Sequence, residues 1–193
     1  MDYDNFEWYK VVNSDEPLAQ GDIILNCPIV QLEKVDVHPF FKPFMYDIDA
    51  IVMTQACDLA QKKVDHVTLC PIVQFSEVLK EYMDKDGLVY NASSRKEIEK
   101  KEKVIEKFRQ GAILNYHLLN KFTSEYLSTE YKVVSLKESF TIPFESFQLL
   151  LRESNGQRLR LQPPYREHLS QAFARNFMRI GLPVDIKIAA NEV

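Results

Sequence analysis

Cysteine, glycine and long apolar runs are all scarce in this chain, and each shortage excludes something. There are three cysteines, an odd number with no CxxC spacing. That argues against a disulfide framework and fits a reducing cytoplasm, the location expected from sequence. Five glycines in 193 residues leave few turns that need positive φ. No apolar run approaches the length of a membrane span, so no membrane partner is expected. The first ten residues, MDYDNFEWYK, are acidic and lack the apolar stretch of a signal peptide. Basic excess is missing too: 24 Lys and Arg against 28 Asp and Glu give a net charge of −4. Any nucleic-acid surface must therefore be a local patch. Walker, GxGxxG, HExxH and GxSxG signatures do not occur, which disfavours classical nucleotide-binding, zinc-protease and α/β-hydrolase sites.

What is present is an ordinary globular composition, 46% apolar and 27% charged. The length suits one core, so the expectation is a single domain over 1–193. Strands are expected within about 6–75 and 112–162, from FEWYKVV, GDIILNCPIVQL, AIVMTQAC, HVTLCPIVQF, YKVVSL, FTIPF and LRLQ. Residues 33–47, with two prolines, read as a long loop carrying aromatic anchors. CPIVQL and CPIVQF nearly repeat at a spacing of 43, which reads as two strands meeting similar packing demands. A helical insertion is expected over about 76–111. Its second helix carries a Ser94/Glu97 capping box and a Gly111 stop. A C-terminal amphipathic helix over about 164–180 places Tyr165, Leu169, Ala172, Phe173, Phe177 and Ile180 on one face.

Three sets of residues bear on chemistry. A hairpin joining AIVMTQAC to HVTLCPIV would set Cys57 opposite His66 and Met53 opposite Cys70. Cys57 would then be a nucleophile beside His66, with Asp58 or Gln55 orienting the imidazole. Alternatively, Cys57, His66 and Cys70, with Cys27, would supply a zinc site. The plainest alternative makes the cysteines small buried hydrophobes, Asp58 a turn residue and His66 a surface residue. No cofactor is required by the sequence, and zinc is the one that would fit. The second set is basic. Arg152, Arg158, Arg160, Arg166, Arg175, Arg179 and Lys187 stand against Glu153, Glu167 and Asp185, so seven minus three leaves +4. Arg158, Arg160, Arg166, Arg175 and Arg179 are the candidate nucleic-acid contacts, with His168 and Gln171 on the same helical face as the last two. The alternative is a solvated face paired with the acid excess elsewhere. The third set is aromatic: His38 among Phe40, Phe41 and Phe44 could stack on bases, plug a barrel end, or, with Trp8, meet a protein partner. His117 reads as a half-buried sheet or turn residue.

QGDIILNCPIV, a long loop, DAIVMTQACDL and HVTLCPIV together resemble the opening of PemK/MazF-like toxins over about residues 20–75. The resemblance implies an SH3-like β-barrel and an RNA-cleaving activity. Ile48-Asp49 stand where that family has an arginine, so no catalytic residue is carried over. The whole chain also resembles a group of uncharacterised bacterial proteins with a TQ-x-CD strand end and a terminal helix of this type. The expectation is an α+β protein: an SH3-like barrel core with a helical insertion and a C-terminal helix. It would serve as a cytoplasmic interaction or nucleic-acid-binding module, and the resemblance implies an accessory role in a mobile-element or defence system. The alternatives are an enzyme using Cys57 and His66, a MazF-like ribonuclease, or a structural subunit that only binds a partner.

Overall fold

β-Branched and aliphatic residues at alternating positions lay down the central strands. They are β2 (Asp22–Lys34), β3 (Phe41–Val52) and β4 (His66–Gln74). A computed structural model of the chain describes residues 6–38, 40–124, 128–153 and 157–178. The fold is α+β. Around the central strands run β1 (Tyr9–Val12), β5 (Tyr116–Leu119), β8 (Lys132–Ser135), β9 (Phe140–Pro143) and β10 (Arg158–Leu161). The sheet order is β1-β10-β2-β3-β4-β8-β5, with β9 a further partner of β4 and every pairing antiparallel. A separate ribbon pairs β6 (Phe122–Thr123) with β7 (Ser128–Thr129).

The closed barrel expected from sequence is not formed. Among the described residues no ladder joins β1 to β5. The sheet instead curls until its edges approach, and the Tyr9 hydroxyl on β1 donates to the Asn120 carbonyl just past β5 at 2.7 Å. One side-chain hydrogen bond thus stands where a strand ladder would close a barrel.

Along β4 and the basal ends of β2 and β3, both faces of the sheet are buried. Ile23, Ile51, Cys70, Ile72 and Val134 point to the concave side, where Leu169 of helix α5 (Tyr165–Phe177) completes the cluster. Ile24, Ala50, Val52, Val67 and Leu69 point to the other side, beneath Phe144 and Phe147 of helix α4 (Phe144–Glu153). A third cluster packs α2 (Phe75–Lys85) and α3 (Arg95–Arg109) on Val133. The Ser94 and Glu97 side chains form the reciprocal capping box at the start of α3, and Gly111 ends it at φ 64°.

The expected loop at 33–47 is a strand turn instead. β2 and β3 continue as a two-stranded arm past Cys27–Ile48, with Val30 opposite Met45 and Lys34 opposite Phe41.

At the base of the sheet, Gly21 turns the chain at φ 87° and Asp22 enters β2 fully buried. Its carboxylate accepts from Arg158 Nε at 2.8 Å, from Arg160 Nε and Nη2, and from the Ala19 N–H. Removing one partner from a buried pair leaves an uncompensated charge, which costs about 3–5 kcal/mol. Asp22→Ala is therefore expected to lose stability on that scale in urea unfolding.

Candidate functional site

The TQACD stretch is a strand end followed by a helical turn. The Thr54 hydroxyl accepts the Thr68 N–H at 2.7 Å where the β3–β4 ladder stops. The Gln55 carbonyl then accepts the N–H groups of Asp58 and Leu59, opening the short helix α1 (Ala56–Ala60). Cys57 is on that helix, not on a strand.

The observed register places Ile51 opposite Cys70 and Val52 opposite Leu69. Met53 consequently meets Thr68 rather than Cys70, a slip of two residues from the expected pairing. His66 pairs with Pro143 of β9. Cys57 is exposed, and its Sγ lies 3.6 Å from Gln55 Oε1 and 3.7 Å from Asp58 Oδ1. Gln55 and Asp58 thus stand beside the thiol, whereas the nucleophile reading set them at the His66 imidazole. Both contacts are oxygens, however, so neither supplies the imidazolium that would favour a thiolate.

The residues weighed as zinc ligands do not converge. Cys70 packs in the concave cluster and Cys27 in the cluster under α4, on opposite faces of the sheet. Burial pushes the Cys27 thiol up to about 11 and the Cys70 thiol up to about 12, the opposite of what a metal-binding thiolate needs. Among the described residues no three His, Cys, Asp or Glu side chains form a group that could hold a metal ion.

Two of the five candidate arginines are committed to the fold. Arg158 is buried. Besides Asp22 it donates to the carbonyls of Asn13, Glu16 and Pro17. Arg160 donates to Asp22 and to the Pro17 carbonyl. These two guanidiniums pin the 13–22 loop, and their donors are not offered to phosphate. Arg166 is half-buried, paired with Glu167 at 2.7 Å, with its stem against Gly21. Arg175 is exposed. Arg179 lies outside the described residues.

Arg175 leads to a site that motif reading missed. A cavity of about 850 Å³ opens along the seam between the two edges of the curled sheet. Its roof is α5, through Tyr165, His168, Gln171 and Arg175, and the end of α3 supplies Arg109 and Gln110 opposite. Trp8 stacks on Tyr165 with ring centroids 3.7 Å apart and planes 12° from parallel. The floor holds His117. It lies opposite Val134 in the β5–β8 ladder and so shares that residue's concave face. Its Nε2 is buried and has no hydrogen-bond partner among the described residues.

Helical spacing alone puts His168, Gln171 and Arg175 on one face. What the sequence withheld was the approach of Trp8, His117 and Arg109, which are brought together by the curl of the sheet. An aromatic wall, an unpaired imidazole nitrogen and two arginines suit a planar ligand carrying negative charge.

No protein-family model, curated protein or solved structure matches this chain.

Burial, with His168 nearby as a second cause, pushes the His117 imidazole down from 6.5 to about 4. Below pH 6.5 the unfolded chain takes up a proton that the folded chain refuses. Stability should therefore fall as pH drops from about 6.5 to about 4, by roughly 2–3 kcal/mol in total. His117→Gln should flatten that part of a stability-versus-pH curve.

The thiols give a second expectation. In the native protein an alkylating reagent should label Cys57 and leave Cys27 and Cys70 until the chain unfolds. Peptide mass spectrometry before and after denaturant reads this directly.

Proposed function

We propose that this chain is a binding module for single-stranded nucleic acid, engaged at the cavity beneath α5. The observation that carries the reading is the Trp8–Tyr165 stack beside Arg175 and Arg109, over the unpartnered His117 nitrogen. Stacking is tolerant of sequence, because every base has a π-face, and each base stacked on an aromatic contributes about 1–3 kcal/mol. The arginines would track the backbone, as the local basic excess of the C-terminal region suggests.

The finer kinship with SH3-like PemK/MazF-like proteins belongs to the same proposal. Its support is the QGDIILNCPIV and DAIVMTQACDL order and a strongly curled antiparallel sheet. A cytoplasmic setting is supported by three free cysteines, and the association with mobile-element or defence systems rests on the resemblance alone.

Filter binding or fluorescence anisotropy with a labelled single-stranded oligonucleotide tests the reading. Binding at low salt should weaken as salt rises. Arg175→Gln and Arg109→Gln should each reduce the magnitude of the log–log salt slope by about 0.7, the value for one single-strand phosphate contact. Both side chains are exposed, so neither change should disturb folding. Absence of retention at low salt would end this reading.

A further inference from the structure

The arm of β2 and β3 is the other place where the fold leaves something unfinished. Beyond Cys27 and before Asp49 these strands pair only with each other. An isolated two-stranded ribbon is marginally stable in water at best. In this arm the cross-strand pairs Val30–Met45, Leu32–Pro43 and Lys34–Phe41 alternate onto one face. Apart from Lys34 at its outer end, that face is apolar and in water: Val30 is 64% exposed, Leu32 71%, Phe41 57% and Met45 70%. At the tip, Val37 and Phe40 are exposed as well. Such a surface marks an interaction site.

We infer that this face is covered by the same face of a second copy of the chain. Charge is the first argument. Across residues 28–47, Glu33, Asp36 and Asp47 stand against Lys34 and Lys42, so three minus two leaves −1. The arm carries no strong sign that would select an oppositely charged partner, and it meets itself with little repulsion. Glu33 and Lys42 already satisfy each other across the ribbon at 3.1 Å.

Area is the second argument. The apolar side chains that the register places on this face, Val30, Leu32, Phe41, Pro43 and Met45, are all exposed and leave on the order of 100 Å² apiece. That is roughly 500 Å² per copy and roughly 1,000 Å² in all, the size a specific interface must clear. A two-fold axis lays the same patch on itself, so one apolar stripe is sufficient for a closed dimer.

Sedimentation velocity on the full chain, across the micromolar range, provides the test. The wild-type protein should run at twice the mass of the chain. Leu32→Glu and Met45→Glu should each shift it to the monomer with an unchanged far-ultraviolet spectrum, since both side chains project into solvent in the single chain, and the melting temperature should fall to that of the monomer. Mixing Leu32→Glu with Leu32→Lys chains should restore dimers, which a face used by another protein would not do. A wild-type monomer at the highest concentration overturns the inference and leaves the face to an unrelated partner. A dimer that survives both glutamate substitutions overturns it as well. Neither result bears on oligonucleotide binding at the cavity, which is read separately.

Discussion

The carboxylate of Asp22 is the point on which the sheet turns. It is fully buried and meets two guanidiniums, Arg158 and Arg160, from β10. A lone buried carboxylate would be prohibitive. Here the charge is shared, and Arg158 also spends donors on three backbone carbonyls of the 13–17 segment. The network joins parts of the chain that lie far apart. β10 comes late in the sequence, yet it enters between β1 and β2. Without Asp22 to receive both arginines, that insertion would bury positive charge with no counterpart. The same network changes the meaning of the basic C-terminal stretch. Part of its +4 excess is a structural counter-charge for one aspartate, not a surface for phosphate.

From that base the sheet curls, and the curl explains both the core and the cavity. β4 and the basal ends of β2 and β3 are covered on both faces, so their inward and outward residues are equally apolar and alternation disappears there. Curling stops before β1 and β5 can pair. The Tyr9 hydroxyl reaches the Asn120 carbonyl, and burial moves its own ionisation well above the usual tyrosine range, which keeps it a donor. A seam bridged in this way needs a cover. α5 supplies it with Leu169 on the inside and with His168, Gln171 and Arg175 along the cavity. His117 is caught beneath, on a face otherwise given to Val134 and Leu119.

How much of this the sequence announces depends on whether the signal is local. α3 announces itself because a capping box and a C-terminal glycine are contained within its own residues. α5 does so through its 3.6-residue period. β4 and β8 do so through β-branched runs. The β2–β3 arm misleads because Pro43 and the aromatics around it look like loop punctuation. In fact Pro43 sits on a ribbon with free edges, where a missing N–H costs nothing. α4 does not announce itself, because FESFQLLLRE has no cap signal and its apolar face is defined by the strands beneath it. The Cys57–His66 pairing failed on register. A slip of two keeps every side chain on its face, so the alternation that sets the faces cannot detect it. The cavity is invisible for a related reason: its residues come from Trp8 just before β1 and from β5, α3 and α5, and only the curl unites them.

Among the described residues local rules are mostly kept, and the exceptions at His117 and in the β2–β3 arm localise function. Both carboxylate oxygens of Asp22 are hydrogen-bonded, the α3 cap is reciprocal, and Cys27 and Cys70 are inert core residues. His117 breaks the rule that buried polar atoms are paired, at a cost of about 1–3 kcal/mol for an unmet group. The arm breaks the rule that large apolar side chains leave water, with Leu32 and Met45 mostly exposed on an otherwise unsupported ribbon. Neither exception is repaid within the described residues. A ligand that hydrogen-bonds the His117 nitrogen would recover the first cost, and a second apolar face would recover the second. The two are separable, because the arm is built from β2 and β3 alone and the cavity takes no residue from either. Binding at the seam and association through the arm can therefore be altered one at a time.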